Sequence, residues 1–366
     1  MKRWPELAST RPVALGWALA AAMAATHACA AAPIVFKDMA GDKVELARPV
    51  ERAVTLPMPA GSLLITLAGN PRRLIGMHPD AHAYMQRGLL GRMYPGAAER
   101  IRSDVTRGGF APNVETLLAM KPDLVWQWGY MGDDLLAPLR QAGLPVAALR
   151  YGDETRTREW IRLMGITLGE EQRAQDHLAW RRDVEQFLRR VTAAIPAKER
   201  PRLMLMSRYR PQLRAASGAS NFQFDAELAG GRNVASRLGS ANEVNIEQVM
   251  AWNPQVILLN TFEPGLTPET IYKDPMFAGV DAVKHRRVYL VPSAGYRWDP
   301  PGQESPLYWQ WLAMIVQPDR VDLPMRGLIR EQLRKLYGYE ASDDDIDEVL
   351  ALRANAGSRG YARFAR

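Results

Sequence analysis

Cysteine is all but missing from this chain: Cys29 is the single one in 366 residues, so no internal disulfide framework can form. Also missing are the G-x-S-x-G, H-E-x-x-H, G-x-x-x-x-G-K-[ST] and G-x-G-x-x-G patterns. Acyl transfer, zinc proteolysis and nucleotide chemistry therefore lack their usual signatures. No low-complexity tract occurs, and 47% hydrophobic residues with mixed charge exclude global disorder, collagen-like repeats and coiled coil. Charge of one sign is scarce: 47 Lys plus Arg face 40 Asp plus Glu, and the basic residues fall in small clusters such as Arg208, Arg210 and Arg214. Nucleic-acid binding is a poor reading of that pattern, and an anionic small ligand a better one.

One apolar run stands out. Lys2, Arg3 and Arg11 precede the stretch Val13 to Ala25, and small residues surround Ala28-Cys29-Ala30. The run is short for a bilayer span, so residues 1–30 read as a signal peptide cleaved before Ala31. Thr26-His27-Ala28 differs from the Leu-Ala-Gly that precedes a lipidated cysteine, which makes a lipid anchor on Cys29 the weaker alternative. Cleavage removes three basic residues and one acidic one, lowering the net charge from +7 to +5. A periplasmic protein is expected, and a monomer.

The rest alternates short apolar runs with helical patterns. Strands are predicted at Ala53 to Leu56, Arg73 to Met77, Leu124 to Trp128, Val146 to Leu149, Arg202 to Ser207, Gln255 to Asn260 and Arg287 to Val291. Unbroken Val, Ile and Leu runs suit strands covered on both faces, so the expected fold class is α/β with parallel sheets. Between them a helical segment, interrupted at most near Gly165 and Gly169, carries Val184, Phe187, Leu188, Val191 and Ile195 on one stripe. The expected organisation is an N-terminal lobe at 33–150, a backbone helix at 153–196, a C-terminal lobe at 200–295 and C-terminal helices at 303–340. Of those helices, the one from Ser305 to Val316 is read as amphipathic. Residues 341–366 are read as a capping helix and a frayed end.

An internal repeat supports two lobes. Asn113-Val114-Glu115-Thr116-Leu117-Leu118-Ala119-Met120-Lys121-Pro122-Asp123-Leu124-Val125 aligns without gaps to Asn245-Ile246-Glu247-Gln248-Val249-Met250-Ala251-Trp252-Asn253-Pro254-Gln255-Val256-Ile257. Each copy places Asn before a short helix that ends at Pro and enters a strand. For the fold alone, Asn and Glu as helix caps suffice.

With Phe224-x3-Leu228-Ala229-Gly230-Gly231-x-Asn233 and the closing strand Arg287 to Val291, these segments make the chain resemble the periplasmic substrate-binding proteins of ABC importers for iron-siderophores, haem and cobalamin. The resemblance spans Ile34 to Val316. It implies two Rossmann-like lobes joined by one long α-helix, no enzymatic activity and no cofactor. It also implies a bound cargo, a metal chelate with iron-siderophore favoured over cobalamin, haem or an oxyanion such as molybdate. The implied partner is an inner-membrane ABC permease, docked by a glutamate on each lobe, which by position are Glu115 and Glu247. Because a helix joins the lobes, only a small closure is expected on binding.

Open α/β sheets bind ligands at the carboxyl ends of their strands. Candidates there are Tyr84, Trp128 and Tyr130 in the first lobe and Arg208, Tyr209, Arg210, Arg297 and Trp298 in the second. Aromatic faces stack on a bulky chelate and guanidinium groups clamp its anionic groups. In an extended stretch Arg208 and Arg210 share one face and Tyr209 takes the other, so all three cannot enter one cleft. Trp126 is also expected near the cleft. His78, Asp80 and His82 invite a metal-site reading, with a solvated loop as the simpler account, because Pro79 disfavours both histidines on one helix turn. His177 and His285 are expected at the surface. Rival readings are a secreted metal-dependent hydrolase working through His78 or Asp80, and a scaffold that presents Glu115 and Glu247 without a ligand.

Overall fold

A computed structural model describes residues 32–239 and 242–366. The expected signal peptide and Cys29 lie outside the described residues. Two parallel sheets organise the rest, within the unit Pro33–Arg366. The first has the strand order Leu74–Met77, Ala53–Thr55, Leu124–Trp128, Val146–Leu149, every pair parallel. The second centres on Arg202–Arg208, Val256–Leu259 and Val288–Leu290, also parallel, with Arg214–Ala215 added antiparallel and Arg232–Asn233 parallel. The central strands Leu124–Trp128 and Val256–Leu259 are buried along their whole length, as strands covered on both faces must be. An N-terminal hairpin, Ile34–Lys37 against Lys43–Leu46, was not foreseen.

The repeat folds as one unit in each lobe. Asn113 caps Val114–Met120 and Asn245 caps Ile246–Trp252, accepting from the backbone N–H of Thr116 and Gln248. Both helices close on a left-handed residue before the proline, Lys121 at φ +48° and Asn253 at φ +44°.

Between the sheets the chain is helical, in two pieces. Glu154–Leu168 ends at Gly169, whose φ of +68° is the left-handed cap that glycine adopts without a Cβ penalty. Glu171–Thr192 then runs about 33 Å into the second lobe, at about 1.5 Å per residue. Arg181, fully buried on this second helix, ties the junction together. Its Nε donates to Glu154 Oε1 at 2.9 Å, its Nη1 to the Gly302 carbonyl at 2.7 Å, and its guanidinium lies 4.9 Å from the Trp309 ring centre. Trp309 belongs to Ser305–Val316, expected to be amphipathic but buried at all twelve positions. A helix apolar on every face can only be a core helix, and this one lies against the connector.

The C-terminal residues correct the expectation of a frayed end. Asp343–Val349 starts with a Ser342/Asp345 capping box, and Ile346, Val349, Leu350, Tyr361 and Phe364 are core. Asn355 accepts from the Leu290 N–H at 2.7 Å and donates to its carbonyl at 3.0 Å, while Ser358 donates to Val288 O. A side-chain amide thus completes the open edge of the second sheet, which would otherwise offer a template for another strand.

Candidate functional site

Both sheets direct their carboxyl ends at one cleft, which encloses about 450 Å³. From the first lobe come Met58 and Pro59 after Ala53–Thr55, Trp128 at the end of Leu124–Trp128 with Tyr130 beyond it, and Tyr151 after Val146–Leu149. From the second come Ser207 and Arg208 at the end of Arg202–Arg208, Asn260 and Phe262 after Val256–Leu259, and Tyr296 and Asp299 after Val288–Leu290. Ser217, Ser220, Phe222 and Asn242 close the wall.

Strand alternation explains why Trp128 is there. Leu124, Trp126 and Trp128 share one face of the sheet. Trp126 is fully buried in the core, whereas Trp128 reaches the strand end and lines the cleft. Its ring is fixed by the edges of Phe110, Tyr130 and Tyr151 and by Trp160, at centroid distances of 5.5–6.4 Å. Its indole Nε1 has no partner, and neither do Ser207 Oγ, the Tyr296 hydroxyl and Asp299 Oδ1, all enclosed. Polar groups buried without partners at a cleft wall are free to meet a ligand. Arg208 supplies the cation. Its nearest carboxylate, Glu263 Oε1 at 4.0 Å, already accepts from the N–H groups of Tyr209 and Arg210.

The remaining candidates lie elsewhere. Tyr209 turns away to donate to Asp274 Oδ2 at 2.6 Å, and Arg210 stacks on its ring at 4.8 Å, so of this trio only Arg208 reaches the cavity. Trp298 is core: its Nε1 donates to the buried Glu304 at 2.7 Å. Arg297 and Tyr84 form a contact between the lobes. The guanidinium lies 4.2 Å from the ring centres of both Tyr84, on the first-lobe helix Pro79–Arg87, and Phe262, and 5.5 Å from Tyr296. Burial pushes the Tyr84 hydroxyl up to about 12. Cation–π packing, more than ligand contact, explains both residues.

The histidines are structural. His78 is the N-cap of Pro79–Arg87, its Nδ1 accepting from Asp80 N and its Nε2 3.0 Å from Gly109 O. Pro79 therefore starts this helix instead of disrupting it, as proline at the first helical position does. His82, buried on the same helix, has Nε2 2.8 Å from Ala98 O, while the Asp80 carboxylate is exposed. The solvated loop is thus replaced by a capped helix. No group of three or more His, Cys, Asp or Glu suited to a metal ion occurs among the described residues. His177 corrects the surface expectation: it is buried, and desolvation with the nearby Arg181 charge pulls it down to about 3. His285 is exposed.

Glu115 and Glu247 both lie exposed in the first turn of their helices. Since Asn113 and Asn245 do the capping, the carboxylates lie at the surface uncommitted to the helix ends, Glu115 paired with the exposed Arg107 at 3.6 Å. One turn on from each stands an exposed apolar side chain, Leu118 and Met250.

Sequence reasoning missed Asp299 and Tyr151. Tyr151 follows its strand as Tyr130 does, so the same rule finds it. Asp299 shares the loop of Arg297 and Trp298, and a search for cations and rings passed over an acid. A second cavity of about 490 Å³, beside the end of Ser305–Val316, is lined by Arg287, Arg320, Arg359 and Arg363. Arg287 and Arg363 there donate to Ile315 O and Met314 O, capping that helix.

Comparison with known proteins agrees with this fold. A family model described as periplasmic binding protein matches residues 104–294. The molybdate-binding protein MolA of Haemophilus influenzae is 23% identical over 335 residues, which is 85% of this chain and 93% of its own length. A periplasmic solute-binding protein of Veillonella parvula superposes with a TM-score of 0.79 at 27% identity, covering 88% of this chain and 98% of the other. CeuE of Helicobacter pylori, solved with Ni(II) bound, shares the fold with a TM-score of 0.71 at 18% identity, covering 87% and 99%. The chain belongs to the periplasmic binding protein family, whose members serve ABC importers as substrate-binding components.

Proposed function

We propose that this protein captures an anionic metal chelate, a ferric siderophore first, in the interlobe cleft and presents it to an inner-membrane ABC permease without chemical turnover. The cleft carries the reading: about 450 Å³, walled by the rings of Trp128, Tyr130, Tyr151, Phe262 and Tyr296, with Arg208 as its cation. That size falls in the usual range for an organic ligand, about 300–1,000 Å³. Rings stack on a chelate's aromatic or planar groups, and Arg208 meets its negative charge. Glu115 and Glu247, one per lobe, are the proposed docking points on the permease.

Molybdate is the second reading, favoured by the relative named for it. Titrating the mature protein with ferric siderophores, ferric citrate, haemin, cobalamin and molybdate, followed by tryptophan fluorescence, tests both. Trp128 is the reporter. Saturable one-to-one quenching by a ferric chelate supports the first reading, and by molybdate alone the second. Quenching by none, with calorimetry equally silent, refutes both.

A further inference from the structure

We propose that Asp299 couples cargo capture to proton uptake: an anionic cargo enters the cleft together with one proton, which resides on the Asp299 carboxyl. This rests on the reading of the cargo as an anion.

The geometry is that of an acid set to face an anion. Asp299 lines the cavity, and its Oδ1 is enclosed with no hydrogen-bond partner. No cationic side chain among the described residues forms an ion pair with it; Arg297, two residues away, is occupied by the faces of Tyr84, Phe262 and Tyr296. Besides Arg297, the titratable side chains that sense the carboxyl's charge are phenols: Tyr84 from Pro79–Arg87, Tyr151 beyond Val146–Leu149, Tyr296 from its own loop and Tyr308 from Ser305–Val316. Burial raises all four phenols, so none ionises near neutrality. Arg208 shares the cavity and is its cation.

Asp299 is thus the titrating group on the cleft wall near physiological pH, pushed up to about 7 by desolvation, against the smaller pull of Arg297. An anion in the same cavity repels the carboxylate and favours the neutral acid. The sign follows. Below about pH 7 the acid already holds its proton, and affinity is flat. Above it each captured anion must draw a proton from solvent, and affinity falls by up to about tenfold per pH unit. The neutral acid gains a function as well, because its O–H donates a hydrogen bond to an anionic oxygen where the carboxylate could only repel it.

The test is calorimetry between about pH 6 and 8.5 with molybdate, haemin and a preformed ferric catecholate, in buffers of differing ionisation enthalpy. For whichever anion binds, approach to one proton taken up per anion at the alkaline end is expected, with affinity falling over the same range. Asp299→Asn should bind without uptake and with a flat profile. Because the Asp299 carboxyl makes no side-chain hydrogen bond, this variant should fold as the wild type does and, without a buried charge, melt no lower at the alkaline end. Asp225, raised to about 8 by burial but held by Asn221 and Trp309 outside the cavity, provides the control. Asp225→Asn should keep the wild-type proton uptake. Anion binding with no proton uptake, or uptake that persists in Asp299→Asn, overturns the inference while leaving the carrier reading intact. Failure of all three anions to bind wild type and variant alike overturns both.

Discussion

Reversing both proposed docking charges, Glu115→Lys with Glu247→Lys, separates docking from folding. The capping hydrogen bonds belong to Asn113 and Asn245 and survive the change. What is lost at each helix start is a favourable dipole contact of about 0.3–1 kcal/mol, replaced by an unfavourable one of similar size. The Arg107–Glu115 pair adds less than about 1 kcal/mol, since its side chains are 61% and 87% exposed. The sum over both sites is about 1–5 kcal/mol, at or below the lower end of a typical stability of about 5–15 kcal/mol. A melting shift of a few degrees is expected, with cargo affinity unchanged. Transport should respond quite differently. Steering of a carrier to a cationic rim changes association rates by about tenfold or more, so uptake into vesicles bearing the cognate permease should fall at least that far. Unchanged uptake, or a cargo affinity that falls in parallel, refutes the assignment and returns both glutamates to the helix dipole.

Two further outcomes concern the scaffold. Arg181→Met leaves Glu154 buried with only Arg158 as partner, while the Gly302 carbonyl keeps the Ser305 hydroxyl at 2.9 Å. Breaking a buried pair from one side costs about 3–5 kcal/mol, and the surviving Arg158 bond places this variant near about 3 kcal/mol. Adding Glu154→Gln should recover part of the loss in chemical denaturation, and a further loss would show that the charge was not the cause. Ending the chain at Glu340 removes five large core side chains, Ile346, Val349, Leu350, Tyr361 and Phe364. At about 1.5–3 kcal/mol each, that equals the whole stability of a typical domain. Asn355→Ala, which deprives the Leu290 edge of its partner and removes a longer bond to Leu350 O, should cost about 2–3 kcal/mol and raise aggregation by light scattering. A stable monomer from the shortened chain would contradict this account.

The scaffold was legible because burial writes itself into composition. Strands covered on both faces read as unbroken runs, and each observed core strand lies within a residue or two of its run. The repeat was legible because Asn, Pro and the helix length between them are local signals. The cleft was legible only as a rule about strand ends. That rule brought Trp128, Tyr130 and Arg208 to the cavity and could not foresee that Tyr209 and Trp298 find partners in Asp274 and Glu304, residues distant in sequence or enclosed by the fold. His177 failed for a related reason. A histidine among charged residues reads as surface, and only the packing around the connector decides that it is enclosed.

The same packing bears on how far the lobes can move. A connector that is a helix resists bending more than a two-strand crossover would, since each turn is held by its own hydrogen bonds. Here the junction is held further by Arg181, whose bonds to Glu154 and Gly302 join the first connector helix to the chain beyond the second sheet. Between the lobes Arg297 reaches Tyr84 on the opposite side. A wide hinge motion would have to pull a buried guanidinium from its carboxylate and strip Arg297 from a ring face, losses of several kcal/mol that no rim contact returns. Small adjustments leave both intact. On the proposed reading, selection then falls to side chains already in place, Trp128, Arg208 and Asp299 above all, and recognition by the permease to surfaces whose spacing the connector holds nearly constant.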